Sequence, residues 1–531
     1  MGSPTPAEAA TAGAEVAAEV ERKYAVDAAT VLPTLSGVDG VARMGQPREL
    51  HLEAVYYDTA TLDLTRHRMT LRRRTGGSDA GWHLKLPPVA EARTEVRFPL
   101  DAGGEPGDGD TGQGRDTPPA GLLDHVRAVV RDRPLIPVAV LRTRRREHDL
   151  LDESGTTVAH LCDDEVEAQS LLTPQEGQRW REWEVELDDG DPQVLESVER
   201  HLLETGAAPA EHASKLQRAL GDSVPPPEPD PASLLSDPPT ALEVLAAYLV
   251  EHRAALQHHD AGVRQGDSEP VHKMRVAARR LRSALTTYRP LLDRQVADPL
   301  REELRWLGLA LSDARDAHVL RRRLTAVIHA EPPELVVGPV VARLEQDLGA
   351  VQQHGLGTAV AALESGRYYR LLDALDDLVA TLPELPQAST PASEVPRLVR
   401  RDWKRLRREV AATGLAVDGG SRDRALHEAR KKAKRFRYAA ESAIVLHPKE
   451  ATRLAKAAEA VQEALGDHQD TVVARARLRS LAMTAHLSGE NAFTFGRLHA
   501  LEQWRADRAE ADFDVAWRRL SRRRVRRWLT R

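Results

Sequence analysis

A run rich in proline and aspartate, GDSVPPPEPDPASLLSDPPT from Gly221 to Thr240, divides this chain into halves with different hydrophobic periods. Proline locks φ and removes a backbone donor, so the run reads as an extended linker rather than as helix or strand. Before it, EVAAEVERKYAV, MTLRRRT, GWHLKLP, TEVRFPL, VAVLRTRRREHDL, TVAHLCDDEVEA and REWEVELD alternate with the period of two expected of strands. After it, stretches such as ALEVLAAYLVEHRAALQHH and VARLEQDLGAVQQH carry helical spacing. The expectation is an α+β multidomain chain, with a β domain at 15–220, a linker at 221–240 and an all-α domain at 241–531. The 531 residues suffice for two cores. A second run, DAGGEPGDGDTGQGRDTPPA from Asp101, reads as a long loop between strands and lacks the spacing of a phosphate-binding P-loop.

The strands of the first half differ from those of an ordinary sheet, where one face is apolar and the other is wet. Glu19, Glu21 and Lys23 share one face of a strand, and Glu182, Glu184 and Glu186 repeat that alternation. Cations follow the same rhythm at Arg72 and Arg74, at Lys85, at Arg93 and Arg97 around Glu95, and at Arg142 and Arg144. For any single segment, cross-strand ion pairs on a wet face explain the pattern. Taken together, the segments favour a barrel whose charged faces point inward as a polar tunnel. Triphosphate chemistry needs both signs: cations to neutralise phosphate oxygens, and carboxylates to hold a hard divalent ion.

Residues Glu15 to Leu220 resemble a CYTH domain of the triphosphate tunnel metalloenzymes. The resemblance rests on Glu19-Val20-Glu21-Arg22-Lys23, YYDT at Tyr56, LRRR at Leu71, HLK ending at Lys85, WEVEL, and SKLQRAL with Lys215. It implies an eight-stranded antiparallel tunnel in which Glu19, Glu21, Glu182 and Glu184 bind Mg²⁺ or Mn²⁺. Lys23, Arg72, Arg74, Lys85 and Arg97 would bind triphosphate, and Lys23 and Lys215 are the candidate catalytic lysines, Lys215 either binding phosphate or assisting catalysis. The strand LRTRRRE offers Arg142, Arg144 and Arg145 without deciding among them, and CDDEV offers Asp164 as a further metal ligand beside the nearly equivalent Asp163.

The helical half contains a repeat. HKMRVAARRLR at His272 returns as HEARKKAKRFR at His427, an offset of 155 (427 − 272), and LSDARDAHVL at Leu311 returns as LGDHQDTVVA at Leu465, an offset of 154 (465 − 311). His272, Arg275, Arg279 and Arg282 are spaced by three, four and three residues, one stripe along a helix, and His427, Arg430, Lys434 and Arg437 repeat it. Lys273 and Lys431 widen the cationic surface, with Arg280, Lys432 and Arg435. One such stripe is usually a solvated face. Two at matching register favour a polyanion-binding role, in which each histidine gains a proton beside phosphate. Residues 241–531 resemble a CHAD domain, which implies two four-helix units around a basic channel that binds inorganic polyphosphate. The segment from Val337 to Arg400 carries no recognised motif, and the C-terminal RRLSRRRVRRWLTR reads either as more polyanion surface or as a plain terminal helix.

The formal charge of −6 does not suggest nucleic acid, and 4% aromatic residues leave little for base stacking. A single cysteine, Cys162, excludes an internal disulfide. No apolar stretch reaches the ~20 residues of a membrane span, and no signal peptide stands out, so the expectation is a cytoplasmic protein, with association to polyphosphate granules open. The leading expectation is a metal-dependent inorganic triphosphatase, with inorganic triphosphate and polyphosphate as partners. Thiamine triphosphate, ATP cyclisation and a non-catalytic polyphosphate-binding role are the alternatives.

Overall fold

The computed structural model describes residues 15–88, 92–102, 117–173, 176–188, 190–416 and 418–530. Most of the Gly-rich run after Asp101 and the first fourteen residues lie outside them. The chain forms two compact units, Met1–Glu228 and Pro229–Arg531.

In the first unit the main strands are β1 (Glu15–Glu19), β2 (Glu21–Val26), β4 (Arg48–Asp58), β5 (Thr70–Thr75), β6 (Gly81–Lys85), β7 (Arg93–Pro99), β8 (Ile136–Leu151), β9 (Thr157–Ser170) and β10 (Gln178–Leu187). Two-residue strands β3 (Arg43–Met44) and β11 (Ala208–Pro209) add to β8 and β2. All pairings are antiparallel, in the order β1-β7-β6-β5-β4-β8-β9-β10-β2. Only Val20 separates β1 from β2, so one interrupted strand pairs with β7 through its first part and with β10 through its second. Counting that strand once, eight strands form a ring, as the resemblance implies.

Two apolar clusters of the ring point outward, while a third closes one end of its interior. Tyr24, Leu161, Trp183 and Val185 pack under helix α1 (Pro192–Glu204), while Trp82, Leu84, Val96 and Phe98 pack under short helical segments at 63–66 and 120–130. Pleating therefore sends the alternate charged residues inward. Helix α2 (Lys215–Leu220) packs Leu216, Ala219 and Leu220 against Leu141, Val166 and Ala168. The expected linker divides between the units. Arg66 pairs with Glu228 in the first, and a 3₁₀ turn at Pro231–Leu234 belongs to the second.

In the second unit, α3 (Ala241–Arg264), α4 (Ser268–Thr287), α5 (Arg294–Ala310), α6 (Ser312–His329) and α7 (Val340–Glu364) precede α8 (Gly366–Thr381). Then come α9 (Val395–Thr413), α10 (Gly419–Glu441), α11 (Pro448–Leu487) and α12 (Phe493–Leu520). The repeat offset carries α3 onto α9, α4 onto α10, and α7 onto α12. Helices α5 and α6 together map onto the single 40-residue α11. The unit is thus two four-helix repeats, the third helix of the first repeat being interrupted at Leu311. The segment without motif supplies α7, the fourth helix of the first repeat, and the additional α8. Leu320, Leu324, Leu344, Leu478, Phe495 and Leu498 form a core shared by both repeats. Near the C-terminus Trp528 is buried and Arg526 lies over the Trp403 ring at 4.1 Å, so this segment packs as a terminal helix. Among the described residues, no helix is long and apolar enough to cross a membrane.

Candidate active site and anion groove

The ring encloses a cavity of about 360 Å³ lined by residues from all eight strands. Strand alternation places Glu19, Glu21 and Lys23 in it from the interrupted strand, Arg72 and Arg74 from β5, Lys85 from β6, Arg93 and Arg97 from β7, Arg145 from β8, and Glu184 and Glu186 from β10. Lys215 enters from α2, whose N-cap Ser214 accepts a hydrogen bond from the Gln217 N–H at 3.2 Å. That cap fixes the first helical residue, Lys215, facing the strands.

Acids and bases interlock. Lys215 Nζ lies 2.9 Å from Asp164, 2.7 Å from Glu182 and 2.7 Å from Glu184. Arg145 binds Asp164 through two hydrogen bonds and Glu184 through a third. Lys23 contacts Glu21 at 2.9 Å and also Glu184. On the opposite wall Lys85 pairs with Glu19, Arg97 bridges Glu19 and Glu95, and Arg72 approaches Glu95 at 3.6 Å. The fully buried Glu95 also accepts or shares a hydrogen bond with His83 at 3.0 Å, and so anchors this cationic wall.

Burial raises the Glu19 carboxyl to about 7, against the pull of Lys85. Burial acts the same way on Glu21, but Lys23 and Lys85 outweigh it and hold that carboxyl near 2. Glu184 is well below the usual range because Lys215, Lys23 and Arg145 overcome burial. Lys23 and Lys215 are raised despite burial by the carboxylates around them. Burial, then Arg72 and Arg145, bring Arg74 down to about 9.

Asp164, Glu182 and Glu184 place one oxygen each within 4.8 Å of one another, a geometry that suits a hard divalent cation. The buried Glu19 Oε2 and Glu182 Oε1 lack hydrogen-bond geometry although ammonium groups lie close, so this oxygen-rich donor set fits a hard divalent cation. Glu182 borders a smaller neighbouring cavity that shares Lys23 and Lys215 with the main one.

The two choices that the sequence left open resolve by strand parity. Arg145 faces the cavity, whereas Arg142 and Arg144 point outward to Glu53 and Glu49 at 2.7 and 3.1 Å. Their expected contact with triphosphate is therefore corrected: successive β residues face opposite sides, and only the Thr143, Arg145, Glu147 register reaches the interior. Asp164 faces Lys215, and Asp163 faces outward to Arg181 and Arg146. Residues outside the expected set also line the cavity, among them Arg48, Tyr56, Glu147, His160 and Ser214. Tyr56 sits within the YYDT motif, but the motif's Asp58 is structural, accepting from the Thr59, Leu64 and Thr65 N–H groups.

In the helical unit, α4 buries Val271, Met274, Ala278, Leu281 and Leu285, and α10 buries Leu426, Ala429, Ala433 and Phe436. The opposite faces meet in a groove of about 1090 Å³. His272, Lys273, Arg275, Arg279, Arg282, His427, Arg430, Lys431, Lys434 and Arg437 all line it. In total fourteen Lys and Arg residues line the groove against three lining carboxylates, Asp316, Glu459 and Asp470. Glu441, Glu502, Asp402 and Asp298 behind the lining pair with some of the arginines, and the balance leaves a net positive groove. Arg301, Arg315 and Arg323 contribute without belonging to either sequence stripe. Burial and Arg315 push His272 down to about 4, so the free groove holds a neutral imidazole. Burial among Arg279, Arg430 and Arg275 takes Lys434 down to about 6.

A closed antiparallel ring with a charged interior, joined to a two-repeat helical unit with a basic groove, defines a tunnel-barrel protein with a helical companion domain. The CYTH domain family model matches residues 17–220 and the CHAD domain family model residues 247–479. Two proteins of Mycobacterium tuberculosis, the uncharacterized proteins MT2285 (strain CDC 1551 / Oshkosh) and Rv2226 (strain ATCC 25618 / H37Rv), are each 39% identical over 521 residues, covering 95% of this chain and 96% of theirs. The chain belongs to the family of proteins that join a CYTH domain to a CHAD domain. Among solved structures, PptA from Streptomyces chartreusis is 25% identical and covers 52% of this chain and 99% of its own, with a TM-score of 0.45. The CHAD domain from the plant Ricinus communis is 28% identical over 52% of this chain and 92% of its own, with a TM-score of 0.40.

Proposed function

We propose that the tunnel hydrolyses a terminal phosphoanhydride of inorganic triphosphate with Mg²⁺ or Mn²⁺, and that the helical groove binds inorganic polyphosphate. The observation that carries the reading is the two-sided tunnel wall. The carboxylates Asp164, Glu182 and Glu184 cluster beside Lys23, Lys215 and Arg145, and through Glu184 the cluster reaches the cavity on which Arg72, Arg74, Lys85 and Arg97 converge. Glu19, Glu21, Glu182, Glu184 and Asp164 are the residues that would hold the ion. A divalent cation there supplies charge neutralisation and polarisation of the phosphoryl group. The arginines and Lys85 orient the triphosphate, and Lys23 and Lys215, charged at neutral pH, stabilise the developing negative charge. Raised this far, neither lysine suits the part of general base. Inorganic triphosphate is favoured over a nucleotide because Tyr56 and the His160 imidazole are the only aromatic rings among the described lining residues.

The test is phosphate release from inorganic triphosphate with Mg²⁺ or Mn²⁺ by wild type and Glu21→Gln. Metal-dependent release that disappears in the variant supports the reading. Release that persists undiminished in the variant removes Glu21 and the metal set built around it, and no release from wild type removes the substrate.

A further inference from the structure

The helical groove has a continuation. Beyond Arg282 the stripe on α4 runs on at the same spacing through Thr286 to Arg289, just past the helix end. Thr286 and Arg301 line both the main groove and a second cavity of about 410 Å³. That cavity gathers Arg289 and Arg294, Arg301 from α5, and Arg401 and Arg405 from α9. Two carboxylates serve these five arginines. Asp298 holds Arg289 at 2.6 Å and Arg301 at 2.8 Å. Asp402 holds Arg405 at 3.0 Å and is taken up further by Arg435 and the Thr287 hydroxyl. Arg294 and Arg401 are exposed and form no ion pair among the described residues. A chamber of five guanidinium groups around two carboxylates, with Arg294 and Arg401 in direct contact with neither, is a site for phosphate oxygens.

The repeat makes this feature one-sided. At the offset of 155, Thr286 corresponds to Glu441 and Arg289 to Ile444. Glu441 ends the second stripe by binding Arg437 at 2.7 Å and Arg280 at 3.0 Å. The basic track therefore stops at a carboxylate in the second copy and runs on into an arginine chamber in the first.

We propose that the chamber of Arg289, Arg294, Arg301, Arg401 and Arg405 is a second phosphate-binding station on the same track, engaged by polyphosphate chains long enough to pass Thr286 and Arg301 from the main groove. The inference rests on the proposed polyphosphate binding by that groove. From His272 to Thr286 the α4 stripe spans fourteen residues, about 21 Å at the helical rise. A chain confined to that length gains nothing from the chamber, and a longer one gains additional counterion release.

The experiment measures binding of size-fractionated inorganic polyphosphate to the full chain without divalent cation, so that no turnover intervenes, across a salt series. For Arg294→Glu with Arg401→Glu, long-chain affinity is expected to fall roughly tenfold or more and its salt dependence to flatten by about two contacts, while short-chain affinity stays unchanged. The milder pair Arg294→Gln with Arg401→Gln should show the same pattern at smaller amplitude, which separates charge from misfolding. Unchanged long-chain affinity, or equal loss for both lengths in both pairs, overturns the station. Orthophosphate binding that the variants abolish without touching long-chain affinity overturns it in favour of an independent small-anion site. Wild type that binds neither length overturns the groove reading itself, and so does binding that Arg275→Glu with Arg430→Glu leaves undiminished.

Discussion

At the scale of single residues, parity on a strand decides which side chains reach the cavity. Arg145 faces the cavity and Asp164 points inward behind it, while Arg144 and Asp163 beside them face outward. Glu19, Glu21 and Lys23 were legible from the E-x-E-x-K alternation, and Arg72 and Arg74 from the LRRR motif, although Arg22 and Arg73 put charge on the other parity there as well. The run from Arg142 to Arg146 was not, since arginine occupies both parities there and nothing local marks the inner one. Lys434 offers a pH prediction. It is faced by Arg275 and Arg279 from α4, Arg430 on its own helix, and Asp470 from α11, and its folded value near 6 lies below the ordinary 10.5. Between those values the unfolded chain carries a proton that the folded groove lacks, so the free protein gains stability as pH rises through that window. Bound polyphosphate favours the ammonium form, so binding should take up a proton and weaken as pH rises above 6. Calorimetry in buffers of different ionisation enthalpy should show this uptake at neutral pH, and Lys434→Arg should reduce it. Binding without proton uptake in wild type would rule out the effect.

At the scale of elements, helix contacts set the groove walls. Gly355 on α7 lies against the start of α6, where an added Cβ would stand 2.3 Å from the Ala314 nitrogen. Gly355→Val must push the helices apart and should cost about 1–3 kcal/mol, seen as a lowered Tm of the helical unit. Tunnel turnover should persist below that transition. An unchanged Tm would mean the contact is not close in solution. The helical repeat was legible from its two basic stripes, but the interruption between α5 and α6 was not. Leu311 there has φ −84° and ψ −2°, close to helical values, so a slight local unwinding needs no proline or capping side chain to mark it. The stretch from Val337 to Arg400 was opaque for a different reason: α7 and α8 contribute packing residues such as Leu344 and Leu372, which carry no charge pattern.

At the scale of the whole molecule, the two units hold separate charge constellations, and their functions should separate by mutation. Glu21→Gln should leave long-chain polyphosphate binding at the wild-type level. Arg275→Glu with Arg430→Glu should weaken that binding at least tenfold while triphosphate turnover by the tunnel continues. Parallel loss of both activities in either variant would contradict this division. The Pro/Asp run announced the separation in the sequence, although its residues divide between the units.

The seam of the barrel carries a last consequence. The strand that closes the ring also bears Glu19, Glu21 and Lys23, and Lys23 meets Glu184 across 161 residues of chain. Closure of the cylinder and assembly of the proposed reaction centre should therefore coincide, and contacts so distant in sequence should form late in folding. Partly folded chains would already show sheet signal by circular dichroism and yet be inert, so recovered turnover, rather than recovered secondary structure, is the clock for complete renaturation.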